Sequence, residues 1–175
     1  MTDATDAGQA LAGFAPLAGP GATVLILGSM PGSQSLAAQA YYAHPRNAFW
    51  QIAETLFDVP KQLDYAARCA ALVATGVAVW DVLRGCRRRG SLDAAIESES
   101  AEINDFESFL LEYTDISKIL CNGGYAATTY RRRVLPILQE PLARIPMLQV
   151  PSTSPAHASM SVAEKTAAWR AALQA

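Results

Sequence analysis

Four short stretches and one isolated acid carry the groups that could do chemistry. They are Gly28-Ser29-Met30-Pro31-Gly32, Tyr41 to Asn47 (YYAHPRN), Asp81, Asn122-Gly123-Gly124, and Pro151 to His157 (PSTSPAH). Their residue types are amides, short hydroxyls, a carboxylate, two phenols and two imidazoles, all makers of directional hydrogen bonds. The glycine-rich turn at 28–32 opens like a phosphate cradle, or is only a tight connection. It lacks the Gly-Lys-Ser/Thr of a nucleotide loop and the three-glycine spacing of a dinucleotide fingerprint. Kinase, GTPase and dehydrogenase chemistries are therefore disfavoured. Cys69, Cys86 and Cys121 are widely spaced, and His44 and His157 are the only histidines. That spacing speaks against a zinc or iron–sulfur site and for buried free thiols.

The elements that must position these groups alternate in type. Thr23–Gly28 is an apolar run ending in glycine, read as a buried strand. Further strands are expected at VAVWDV from Val77, at ISKILCNGG from Ile116, and at PMLQV from Pro146. Helices are expected over NAFWQIAETLF, YAARCAALVATG, NDFESFLLEY and YAATTYRRRVL, the last stopped by Pro136. Asn104 is a candidate cap for the third. A closing helix over SVAEKTAAWRAALQ carries a capping box, Ser161 with Glu164. The stretch RGCRRRGSLDAAIESESAE reads as a loop with short turns. Residues 1–20 read as a loose N-terminal arm, and 21–175 as a single domain. The expected fold class is α/β, a three-layer αβα sandwich around a mainly parallel sheet of about four strands.

In such sheets ligands bind beyond the carboxyl ends of the strands. Those ends follow Leu27, Val79, Leu120 and Val150. There the chain has GSMPG, Trp80-Asp81, CNGG and PSTSPAH, all polar or rich in Gly and Pro. A site at these four ends is the topological expectation.

Composition sets the remaining bounds. The chain has 175 residues, enough for a core, and is 51% hydrophobic, which suits a globular protein. No apolar run is long enough to span a bilayer. The opening MTDATDAGQA lacks the basic start and apolar centre of a signal peptide, so a cytoplasmic location is expected. Net charge is −2, against a strongly basic nucleic-acid binder. Arginine nevertheless clusters at Arg84, Arg87 to Arg89 and Arg131 to Arg133. These triplets read either as a local DNA-facing surface or as ordinary solvated faces.

Taken together, GSMPG, YYAHPRNAFW and PSTSPAHA resemble the uracil-DNA glycosylase superfamily. The match is nearest to its hypoxanthine-DNA (deoxyinosine) glycosylase branch, and runs from about Gly13 to the end. The resemblance implies an enzyme that flips a damaged base from the duplex and hydrolyses its bond to the sugar. Its transition state is oxocarbenium-like, with negative charge growing on the departing base. Two positions depart from the family pattern. Met30 stands where relatives carry a water-orienting Asn or Asp, and a thioether is too weak an acceptor for that task. Val150 stands where relatives place His or Asn before Pro-Ser.

The resemblance implies a role for each group. Asn47 is the candidate to hold the attacking water, or else simply caps the next helix. Tyr42 is expected to stack on the flipped base, and Tyr41 to pack in the core. Gly28 to Gly32, Met30 included, form a wall of the base pocket. Asp81 is expected to accept the N1–H of hypoxanthine while a backbone N–H of the first loop binds O6. Alternatively it caps a turn or pairs with Arg84. Ser152, Thr153 and Ser154 are expected at phosphates flanking the extruded nucleotide, and residues just beyond them in the vacated space. His44 and His157 neutralise phosphate or leaving-group charge, or are structural. Asn122 opens a helix N-terminus that could bind an anion, or caps a turn. Lys61, Lys118 and Lys165 lie outside the motifs, so no Schiff-base lyase step is expected. The implied enzyme is monofunctional and monomeric, needs no cofactor or metal, and acts on double-stranded DNA containing a deaminated base. Alternatives are a uracil or thymine mismatch glycosylase, or a DNA-damage-binding module without catalysis.

Overall fold

A strand covered by helices on both faces must be apolar on both, and the run after Thr23 is. In the computed structural model, which describes residues 8–175, it forms β2 (Val24–Gly28). Around it lie β3 (Val77–Asp81), β6 (Lys118–Asn122) and β7 (Met147–Val150), in the order β3-β2-β6-β7. All three pairings are parallel, with Leu25 opposite both Ala78 and Ile119. Side chains alternate across this sheet. Leu25, Leu27, Trp80, Ile119 and Cys121 pack with α4 (Phe106–Glu112) and α5 (Gly124–Thr129). Ile26, Val77, Val79 and Leu120 pack on the other face with three helices. These are α2 (Phe49–Phe57), α3 (Tyr65–Ala74) and α6 (Val162–Gln174). The three-layer sandwich expected from the sequence is the observed architecture. The Ser161–Glu164 capping box that starts α6 is present in both directions. The three cysteines are buried and free. Among the described residues no helix is long and apolar enough to cross a membrane.

The loop expected after Asp81 is a correction. Leu83–Arg88 forms β4, which pairs with β1 (Gln9–Ala12) and β5 (Glu102–Ile103) in a second, antiparallel sheet. Its inward residues include Leu83, Cys86 and Arg88, a near-alternation hidden by the arginines between them. The loose arm is corrected too, over its described part, while residues 1–7 lie outside the described residues. Beyond β1, Leu17 exchanges two 2.8 Å backbone bonds with Val79, and Trp80 Nε1 donates to Phe14 O at 3.1 Å. The cause is that β3 is an edge strand, whose open backbone groups need a partner.

Local details differ as well. The cap of α4 is Asp105, whose side chain accepts from Ser108 N, and not Asn104. Asn104 Nδ2 instead donates to Asp81 O at 2.8 Å. Pro136 does not end the helix after Gly124. The chain continues through a π-helical turn (Tyr130–Val134) into a 3-10 turn (Leu135–Ile137), where Pro near a first position is tolerated. Ser33–Ala38 forms a short helix, α1, that the sequence reading left unassigned.

Candidate active site

The four strand ends of the parallel sheet open onto one cavity of about 740 Å³, within the roughly 300–1,000 Å³ of typical ligand sites. Gly28, Asp81, Asn122 and Ser152 line it, one from each end. The topological expectation for the site is met.

Asp81 is 4% exposed, and its Oδ2 has no hydrogen-bond partner among the described residues. Burial pushes its carboxyl up to about 7. The nearby Asp93 carboxylate adds to the rise and Arg88 opposes it. The pairing with Arg84 considered above does not occur, because Arg84 bonds Glu102 at 2.6 Å on the surface. Gly28 lies directly beneath Asp81. A Cβ there would collide with Asp81 Oδ1 and sit 3.2 Å from the Tyr42 hydroxyl. Only glycine lets the carboxylate stand so close to β2.

The first motif is braced by residues that sequence reasoning missed. Arg88, 1% exposed, donates through Nη2 to Pro31 O at 2.6 Å and through Nε to Gly90 O at 2.9 Å. Ser29 Oγ donates to Asp93 Oδ1 at 2.6 Å. Ser33 N donates to Ser91 Oγ at 2.9 Å. Burial raises the Asp93 carboxyl, while the Ser29 bond and Arg88 oppose that rise. No local signal marked Arg88 as a brace for the first motif, since Pro31 lies 57 residues away. As one member of the basic triplet it is not part of a solvated face. Met30 is buried in the apolar cluster around Leu27 and also lines the cavity.

The second stretch contributes a stack and an amide. Tyr42 holds φ at 56°, a conformation that costs a non-glycine residue about 1–3 kcal/mol. Its ring lies on Phe49, centroids 4.0 Å apart and planes within 19°. One ring face is thus covered by protein. Tyr41 is a core residue as expected, its hydroxyl donating to Ala15 O at 2.9 Å. Asn47 is half-buried and lines the cavity, and its Oδ1 accepts from Phe49 N at 2.9 Å. The helix reading of Asn47 is therefore realised in part, although the residue at the helix boundary is Ala48. A carbonyl oxygen has two lone pairs, so one acceptor position on Oδ1 remains. His44 Nδ1 accepts from Arg46 N at 3.0 Å, which puts the proton of the neutral ring on Nε2.

The last two stretches lock together. Asn122 Nδ2 donates to Thr153 Oγ1 at 2.9 Å and to the Tyr42 hydroxyl at 3.2 Å. Its Oδ1 accepts from Thr153 N at 2.9 Å. Both residues are buried, so their polar groups bracket the loop and are not presented to an outside anion. Ser152 and Ser154 are half-buried and line the cavity. His157 also lines it, and its buried Nε2 has no partner among the described residues. Lys165 Nζ donates to His157 O at 2.7 Å, so this lysine anchors the motif from outside the cavity. Lys118 Nζ is held by Ala172 O and Leu173 O, and Lys61 sits beside Glu54.

The chain as a whole is similar to known proteins. Residues 16–174 match the family model described as the uracil DNA glycosylase superfamily. A protein named Hypoxanthine DNA glycosylase from Methanosarcina barkeri is 34% identical over 112 residues, 63% of this chain and 70% of that protein. Its namesake from Methanosarcina acetivorans is 33% identical over 119 residues, 67% and 73% of the two chains. A solution NMR structure from Methanosarcina acetivorans, described provisionally as a uracil DNA glycosylase, superposes with a TM-score of 0.74 at 27% identity. It covers 94% of this chain and 99% of its own.

Proposed function

Because the chain belongs to the uracil DNA glycosylase superfamily, we propose that it is a DNA glycosylase releasing hypoxanthine from deoxyinosine. One observation carries this reading: Asp81 lines a ligand-sized cavity, and its buried Oδ2 has no partner among the described residues. Buried polar atoms are seldom left unpaired, so an orphan at a cavity wall suits a ligand donor. Hypoxanthine offers N1–H at the edge where adenine has a bare acceptor nitrogen. An ionised Asp81 accepts from the first and repels the second. The names of the two curated relatives support the same base.

The flipped base stacks on the ring face of Tyr42 that Phe49 leaves open. A backbone N–H of the first motif binds O6, and Met30 closes the apolar wall. Asn47 Oδ1 holds the attacking water with its remaining lone pair. The water oxygen bonds to C1′ as the N-glycosidic bond breaks. The base departs with the electron pair and takes up a proton, leaving an abasic site. Ser152, Ser154, His44 and His157 contact the flanking phosphates, while Asn122 and Thr153 position them. None of the lysines lines the cavity, which supports a monofunctional reaction with no Schiff base.

The test is a panel of labelled duplexes carrying inosine, uracil or a G·T mismatch, incubated and then cleaved at abasic sites with alkali. Scission at inosine is expected to dominate, in single-turnover conditions. Preferred scission at uracil or G·T overturns the substrate assignment. Binding without scission of any duplex overturns the enzymatic one.

A further inference from the structure

The fixed charge on the cavity wall has one sign. Asp81 and Asp93 both line the cavity, and no lysine or arginine does. The other ionisable side chains on the wall are His44, His157, Tyr41 and Tyr42. Burial raises both phenols and keeps them protonated. Arg88, buried behind the wall, offsets part of the acidity. Two carboxylates against one guanidinium still leave negative charge in excess when both ionise. A wall without a cation is a poor partner for a base that departs as an anion. It is a good partner for a base that is already positive.

Alkylation at N7 turns guanine into such a base. The ring keeps N1–H and O6, the same edge that hypoxanthine offers, and gains a full positive charge. Three features of the cavity suit it. Asp81 is 4% exposed, and its Oδ2 has no partner among the described residues, so an acceptor is available for N1–H. Tyr42 keeps one ring face uncovered by Phe49, and a cationic ring gains more from such a face than a neutral one. Asp93 is half-buried and bonded to Ser29 Oγ at 2.6 Å, which fixes a second negative charge at the wall. Undamaged guanine shares the edge but lacks the charge. A 3-methyladenine carries the charge but has a bare N1, which ionised Asp81 repels. The reaction balances without a further group. The water oxygen bonds to C1′, the bond from N9 to C1′ breaks, and its electron pair neutralises the cationic ring. The surplus proton of the water passes to solvent. The base leaves neutral, so nothing has to protonate it.

On the inosine-glycosylase reading above, we infer that the same cavity also accepts N7-alkylated guanine, and that Asp93 is the residue that selects its positive charge.

The experiment uses duplex DNA methylated with tritiated dimethyl sulfate, which carries 7-methylguanine and 3-methyladenine, beside an inosine duplex. Freed bases are separated by chromatography, and release without protein is subtracted. Wild type is expected to free 7-methylguanine well above the spontaneous rate and 3-methyladenine not above it. Asp93→Asn keeps an oxygen for Ser29 Oγ but loses the charge. It is expected to lower the ratio of 7-methylguanine to inosine excision roughly tenfold. Asp93→Glu keeps the charge and is expected to hold that ratio near the wild-type value. Inosine excision without release of 7-methylguanine, equal release of the two methylated bases, or an unchanged ratio in Asp93→Asn would each overturn this inference and leave the inosine reading standing. Wild-type protein inert on every substrate would overturn both together.

Discussion

Replacing Asp81 by Asn should stabilise the fold and damage its selectivity, and both effects should depend on pH. Burial raises the Asp81 carboxyl from 3.8 to about 7, helped by Asp93 and opposed by Arg88. The folded state therefore holds a proton that the unfolded chain has released between about pH 4 and 7. Stability from this group is fully present below its unfolded pKa and is lost as pH rises through the folded value. The rise from 3.8 to about 7, at ~1.36 kcal/mol per pH unit, is worth about 4 kcal/mol over the whole window. Between pH 5 and 8, about two units remain, or about 3 kcal/mol. Asn does not ionise, so Asp81→Asn escapes that loss. Urea unfolding at pH 5 and pH 8 should show the stability gap widening by about 3 kcal/mol in the variant's favour. A gap that stays constant with pH refutes the buried, proton-binding carboxyl. The same titration should govern excision, because only the ionised form accepts N1–H. Wild-type inosine kcat/KM should rise roughly tenfold from pH 6 to 8 as the ionised fraction grows. The Asn variant should lose that rise and change its preference among inosine, uracil and xanthine. A wild-type rate that falls over this range, or an unchanged preference, refutes base reading by the carboxylate.

Two further substitutions probe the site. Asn47→Ala removes the acceptor for Phe49 N and should cost about 1 kcal/mol of stability. It should also lower single-turnover excision roughly a hundredfold or more, with an unchanged circular dichroism spectrum; near-wild-type excision would remove Asn47 from the water site. Gly28→Ala puts a methyl group against Asp81 Oδ1 and the Tyr42 hydroxyl. It should lower the melting temperature and sharply reduce excision, whereas a fully active variant would mean that the base does not bind against Asp81.

The place of the site was legible because each parallel strand is an apolar run that stops on Gly, Asp, Asn or Pro. Periodicity and the topology of parallel sheets then give the rest. Asp81 was legible as a residue type at one of those ends, whereas Tyr42 and Asn47 lie between α1 and α2 and were singled out through the family resemblance of YYAHPRN. The bracing was not. Arg88 sits in a run of arginines, and its burial depends on Pro31 and Gly90 converging on it. Asp93 lies in an acidic, serine-rich stretch that reads as solvated, and only the fold brings Ser29 to it. Asn122 looks like a helix cap by sequence, yet its partners are Tyr42 and Thr153, 80 and 31 residues away. The second sheet was missed for a related reason. β5 has two residues and β1 four, too short for periodicity to register, and β4 is interrupted by charged side chains.

The two departures from the family pattern have a common structural consequence. Met30 belongs to the apolar cluster on one face of the sheet, and Val150 to the cluster on the other. Polar groups at those positions would face these cores and need partners there. With both apolar, the polar side chains at the cavity come from other residues: Tyr42 and Asn47 after α1, Asp81 and Asp93 on either side of β4, and Ser152, Ser154 and His157 beyond β7. The left-handed backbone at Tyr42, the raised carboxyls of Asp81 and Asp93, and the buried guanidinium of Arg88 all lie at or beside one cavity. Helices elsewhere are capped by side chains at Asp64, Asp105 and Ser161. Departures are not confined to the cavity, since Gln39 and Asp58 also hold positive φ and the buried Tyr130 hydroxyl has no partner among the described residues. Arg88 is what makes the arrangement tolerable, because it offsets both carboxylates while tying Pro31 to Gly90. The guanidinium that offsets the acidic groups is thus the same one that fixes the wall against which the base would rest.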